Sequence, residues 1–173
     1  MIKWILTIFL SVLISQEAFD GYTLFTPYGS DFETFETLLI DNDYNVIHEW
    51  SHDFAPASMP YLLQDGSIIY PYLVESPTMA AGGVGGGIQK VLWDGTVDWD
   101  YTFADSIYQH HHDVEPLPNG NILVIVWEKK MIADAYAMGR TDIDQWSTNE
   151  MWSTAILELN PTTGLIDWEW HLW

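Results

Sequence analysis

Three stretches of this chain follow one pattern, a turn that runs into an alternating strand. They are Asp41-Asn42-Asp43-Tyr44-Asn45-Val46-Ile47-His48-Glu49-Trp50, Leu92-Trp93-Asp94-Gly95-Thr96-Val97-Asp98-Trp99-Asp100-Tyr101, and the longer Leu159-Asn160-Pro161-Thr162-Thr163-Gly164-Leu165-Ile166-Asp167-Trp168-Glu169-Trp170. Aligning the turns brings Val46, Val97 and Ile166 together. His48, Trp99 and Trp168 then coincide, as do Trp50, Tyr101 and Trp170. Alternate residues of a strand point to opposite faces, so the large rings line one face and the acids between them line the other. A unit of this kind cannot bury its aromatic face alone and must stack against its neighbours.

A second hairpin follows each of the first two copies. Tyr61-Leu62-Leu63-Gln64-Asp65-Gly66-Ser67-Ile68-Ile69-Tyr70 corresponds to Pro116-Leu117-Pro118-Asn119-Gly120-Asn121-Ile122-Leu123-Val124. Asn119-Gly120 is read as a type I′ hairpin turn, since both residues accept positive φ. Two hairpins in about fifty residues, with turn glycines and an aromatic at a fixed offset, form the pattern of a β-propeller. The expected fold is therefore all-β: about two and a half four-stranded antiparallel blades of a larger ring. Residues 128–152 read as a loop insertion, with a helical turn at Ala133 to Met138 from its alanines and methionine. The chain ends at Trp173 in mid-blade, which implies a piece of a longer protein or assembly with other copies. Gly82-Gly83-Val84-Gly85-Gly86-Gly87 has neither P-loop nor dinucleotide spacing and is read as a closely packed or flexible loop.

The chain has 173 residues, enough for one domain with a real core, and 48% of them are hydrophobic. Its 25 acidic residues against 5 Lys plus Arg give a net charge of −20, which repels nucleic-acid phosphate and anionic lipid. Without cysteine there is no disulfide, thiolate nucleophile or Cys-bound zinc. Residues 1–18 resemble an export signal: Lys3 supplies the basic start, and Trp4 to Ile14 is an apolar run too short to span a bilayer. The expected mature domain is residues 19–173, periplasmic or secreted, without a membrane span.

The chemistry-bearing stretch is His110-His111-His112-Asp113, which runs directly into a turn and the apolar strand Ile122 to Trp127. Histidine can act as nucleophile, proton carrier or metal ligand near neutral pH. Strand alternation points His110 and His112 one way and His111 the other, unless the chain bulges. His110 and His112 on one face could chelate zinc or copper with a carboxylate, but no distant third ligand accompanies them. The expected site holds no metal and no cofactor.

His111-His112-Asp113 with Leu117-Pro118-Asn119-Gly120-Asn121, together with Gly21 to Phe25 and His48-Glu49-Trp50, resembles bacterial arylsulfate sulfotransferases. The likeness extends over nearly everything after the leader. It implies a six-bladed propeller outside the cytoplasm that moves a sulfuryl group from an aryl sulfate to a phenol through a sulfated histidine. By that likeness His111 and His112 would bind sulfuryl oxygens or relay protons, and Asp113 would fix one tautomer. The histidine that takes the sulfuryl group and its arginine would lie on later blades, so the 173-residue piece alone is expected to be inactive. Arg140, the only arginine, sits in the insertion and is expected to pair with surface acids. Two other readings fit the residues: a non-catalytic propeller that binds aryl or carbohydrate ligands, and a histidine metal site.

Overall fold

A computed structural model describes residues 19–27, 34–141 and 149–173; the leader expected at 1–18 lies outside them. The chain is all-β, built as three antiparallel sheets in chain order. The first contains β1 (Thr23–Phe25), β2 (Phe35–Ile40) and β3 (Val46–His52). The second contains β4 (Tyr61–Leu62), β5 (Ile68–Leu73), β6 (Gly86–Val91) and β7 (Val97–Thr102). The third contains β8 (Tyr108–Pro116), β9 (Ile122–Met131), β10 (Glu150–Asn160) and β11 (Leu165–His171), with helix α1 (Ile132–Ala137) between β9 and β10. The second and third sheets have the expected four strands. The first has three among the described residues.

The repeat is exact enough to share an irregularity. In each sheet the last two strands slip register at the same place: after the Ile40–Val46 pair, the Val91–Val97 pair and the Leu159–Ile166 pair. The extra residue is Ile47, Asp98 or Asp167, and pairing resumes at His48, Trp99 or Trp168. Trp50, Tyr101 and Trp170 follow two positions later, opposite Thr37, Ile88 and Ile156. Both aromatic trios therefore hold equivalent positions, as the sequence alignment predicted.

The turns correct the expected geometry. Asn119 is not at positive φ; Gly120 is, at 88°. Gly120 N–H donates to the Leu117 carbonyl and Leu117 N–H to the Asn121 carbonyl, a type I turn closed by a left-handed glycine. The same pair of bonds closes Leu63–Ser67 and Leu92–Thr96. In each case an Asp or Asn side chain accepts the N–H two residues on, which supports the first bend without needing a left-handed residue there. The first sheet's turn puts Tyr44, at φ 65°, where the other turns have glycine.

The insertion is shorter than the sequence suggested. Residues Glu128 to Met131 continue β9, and Glu150 to Trp152 begin β10, paired from Met131–Glu150 to Glu128–Ser153. The charged run looked like loop because its charges are satisfied inside the sheet. Glu128 is buried between Lys130 at 2.9 Å and His171 at 3.0 Å, and Lys129 pairs with Glu150 at 3.1 Å. The helical turn is present as α1; residues 142–148 fall outside the described set.

Two cores join the sheets face to face. Leu39 and Trp50 of the first sheet pack on Ile68, Tyr70, Tyr72 and Val91 of the second. Ile69, Ile88 and Phe103 meet Val114, Ile122, Val124, Val126, Ala155, Leu157 and Leu159 of the third. The middle sheet is covered on both faces, which is why β5 is a continuous apolar run rather than an alternating one. Each fully buried Ile, Val or Leu contributes about 1.5–3 kcal/mol.

Candidate functional site

The site lies where β8 breaks its own ladder. Tyr108, Gln109 and His110 pair with Glu128, Trp127 and Val126, and pairing resumes only at Val114–Val124. His111, His112 and Asp113 therefore stand against the single residue Ile125, a special bulge of three residues against one. His112 sits in the left-handed region at φ 60°, which costs a residue with a Cβ roughly 1–2 kcal/mol.

The other edge of β8 holds the bulge open. His110 N–H donates to the Phe103 carbonyl at 2.7 Å, and the Gly85 N–H donates to the His110 carbonyl at 3.0 Å. His112 N–H donates to the Gly83 carbonyl at 2.6 Å, and Val84 bridges His111. These bonds run between the second and third sheets. They need the glycine run to lie flat against the histidines. A Cβ on Gly83 would lie 2.5 Å from the His112 ring, and one on Gly85 would lie 2.5 Å from His110 Nδ1. Gly83 and Gly85 pack on the histidine bulge, whereas Gly86 packs on Val74, Gly87 on Tyr72, and Gly82 is open.

Each imidazole has a different environment. His110 is fully buried; its Nδ1 accepts the Gly86 N–H at 3.1 Å, while Nε2 has no hydrogen-bond partner among the described residues. Burial, then neighbouring His111, pushes His110 down to about 4. His111 is buried and stacks on Trp127 at 4.4 Å between ring centroids. Burial, then His112, pushes it down to about 4 as well. His112 is exposed, and its Nδ1 lies 2.7 Å from His111 Nδ1. Two imidazole nitrogens at that distance must share one proton, one ring donating and the other accepting. The two tautomers are therefore opposite: when one ring is protonated at Nδ1, the other's proton is at Nε2.

Asp113 does not set either tautomer. Its carboxylate accepts both contacts of the Tyr61 hydroxyl, at 3.0 and 3.1 Å, and the Ser58 hydroxyl at 3.3 Å. Burial and this carboxylate push the Tyr61 phenol up to about 12. The bulge also overturns the alternation argument: His111 and His112, not His110 and His112, are the rings in contact. His110 is turned into the glycine run, so the His110–His112 chelate has no geometric basis. Among the described residues no group of three or more His, Asp or Glu is arranged to hold a metal.

His48 is a packing residue, stacked on Trp93 at 3.8 Å and bonded to its carbonyl at 2.7 Å. Arg140 follows α1 and donates its N–H to the Ala135 carbonyl. Sequence reasoning missed Tyr61, Ser58 and Trp127. Trp127 was within reach, because it ends the alternating run Leu123, Ile125, Trp127 on one face of β9. A cavity of about 530 Å³ lies between the second and third sheets and is lined by Lys90, Trp99 and Asn121; it does not touch the histidine bulge.

No family model matches the chain, and no curated protein matches it.

Proposed function

We propose that the three sheets are successive blades of a β-propeller exported from the cytoplasm, and that the His111–His112 pair serves sulfuryl transfer between an aryl sulfate and a phenol. The observation that carries this reading is the 2.7 Å contact between the two Nδ1 atoms. Transfer breaks the aryl O–S bond, forms a bond from sulfur to a nucleophile, and leaves a phenoxide that needs a proton. Burial pushes His111 down to about 4 and disfavours a charge on its ring. Protonated His112 would then donate Nδ1–H to His111 and present Nε2–H outward. That outward donor can bind a sulfonate oxygen or protonate the departing phenoxide. His111, held by Trp127, fixes the ring that does so and is a positioning residue. Asp113 fixes the far end of the bulge through Tyr61 and Ser58.

The test is turnover of a chromogenic aryl sulfate with a phenol acceptor by the full-length protein. His112→Asn removes the imidazole but tolerates the left-handed backbone. We expect turnover to fall by about a hundredfold, with far-UV circular dichroism unchanged. Full turnover in the variant, or none in the unaltered protein, would refute the reading.

A further inference from the structure

The seam between the first two sheets is filled by an indole. Trp93, in the turn between β6 and β7, stacks on His48 of the first sheet with ring centroids 3.8 Å apart. It also covers Gly66 of its own sheet, where an added Cβ would lie 3.1 Å from the ring. Leu39, the partner of His48 across β2 and β3, is buried in the core of the same seam.

The second seam has the same walls without the wedge. Trp99 holds the register position of His48, and Gly120 closes its turn as Gly66 does. Trp93 follows Val91 by two residues; at the same distance past Leu159, which holds the register position of Val91, stands Pro161. No indole covers Gly120, and an added Cβ there would meet nothing within 4 Å. Trp99, Gly120 and Pro161 all line the cavity of about 530 Å³ between the second and third sheets.

The polar groups of this seam differ as well. Where the first sheet has Leu39, the second has Lys90. Ile69, Lys90 and Trp99 pair in one row across β5, β6 and β7, so they share the face that the third sheet covers. The Lys90 ammonium lies 3.3 Å from the Asp65 carboxylate and 3.4 Å from that of Asp98, the residue added by the register slip. Both carboxylates line the cavity with Lys90.

We propose that this cavity binds a neutral saccharide. An anion is opposed by the net charge of −20, and a cation would have to displace Lys90 from its two carboxylates. A plain aromatic ring would cover three charged groups without bonding them, which is costly. A pyranose ring answers both sides of the slot. Its C–H face suits the Trp99 indole, and its hydroxyls can donate to Asp65 and Asp98 and accept from Lys90, whose three donors outnumber its two carboxylate partners. The volume falls within the range of roughly 300–1,000 Å³ usual for small-molecule sites. The proposal does not rest on the sulfuryl-transfer reading, since the cavity does not reach the histidines.

Saturation-transfer NMR of the full-length protein with cellobiose, maltose and lactose at millimolar concentration tests it. The ring C–H protons of at least one of these disaccharides should receive saturation. Pro161→Trp supplies the wedge that the first seam has, so the signal should vanish while the melting temperature holds or rises; Thr162→Trp, from the same lining, replaces it if that variant unfolds. Asp98→Ala removes one acceptor from an exposed position and should weaken binding about tenfold. Absence of transfer to all three disaccharides overturns the proposal. So does a signal that persists in the folded wedge variant, or an affinity unchanged in Asp98→Ala. Transfer to choline or phenol in place of the disaccharides also overturns it, marking a cation site or an aryl slot instead.

Discussion

Gly85→Ala is the substitution that most directly questions the histidine bulge. The added Cβ would lie 2.5 Å from His110 Nδ1, 2.7 Å from its Cε1 and 3.0 Å from the Ala57 Cβ. None of these neighbours can withdraw cheaply. His110 is fully buried, and its backbone is pinned by the Gly85 N–H on one side and the Phe103 carbonyl on the other. If the ring stays, the site is overpacked, at a cost of typically 1–3 kcal/mol. If it turns away, the Gly86 N–H loses its acceptor in a buried setting, which costs about 1–3 kcal/mol. We expect a net loss of about 2 kcal/mol, or about 1 M in the urea midpoint at a slope near 2 kcal/mol/M. Gly82→Ala is the internal control, because an added Cβ there meets nothing within 4 Å. It should stay within about 0.5 kcal/mol of the unaltered protein. If the two alanine variants unfold at the same urea concentration, the close packing of glycine on histidine is not a stabilising feature and our account of the bulge fails.

Acid should destabilise the fold through its buried histidines. His52, His110 and His111 are each pushed by burial to about 4, below the ordinary value of 6.5. The unfolded chain therefore takes up protons that the folded chain refuses. Their contribution is complete above about pH 6.5, falls as pH drops, and levels off below about 4, on the order of 3 kcal/mol per histidine. A urea midpoint that does not move between pH 7 and pH 4.5 would contradict the burial of all three. Tyr44→Gly should stabilise the first turn. The exposed tyrosine at φ 65° costs about 1–2 kcal/mol, of which glycine's larger unfolded-state freedom returns about 0.5–1. A rise in melting temperature checks it, and a fall would show that the ring contributes more than the strain costs.

The repeat was legible because each copy states it twice, in turn chemistry and in aromatic alternation. The shared bulge was not legible: the offsets from Val46 to His48, Val97 to Trp99 and Ile166 to Trp168 would be the same in an unbroken ladder. The geometry at His111 to Asp113 was not legible. It depends on a glycine run more than twenty residues upstream, and alternation within β8 alone gives the wrong partner for His112. Asp113 was likewise assigned to its sequence neighbours, when its hydroxyl partners come from the segment before β5. The charged run Glu128 to Lys130 misled for a simpler reason. Its ion pairs are made across strands, and cross-strand partners are invisible until the register is known.

The backbone bonds between the glycine run and β8 have a counterpart at the other seam. The first and second sheets meet through the Trp50 indole, the stacked His48 and the Leu39 core, and main-chain bonds also join Ala55 and Ala57, which follow β3, to Leu73 and Pro71 of β5. The second and third exchange main-chain hydrogen bonds at Gly83, Gly85 and Phe103. In a linear array each interface sets how strongly neighbouring units open together. Main-chain bonds at both seams couple all three sheets, so the histidine bulge should open only with the array as a whole.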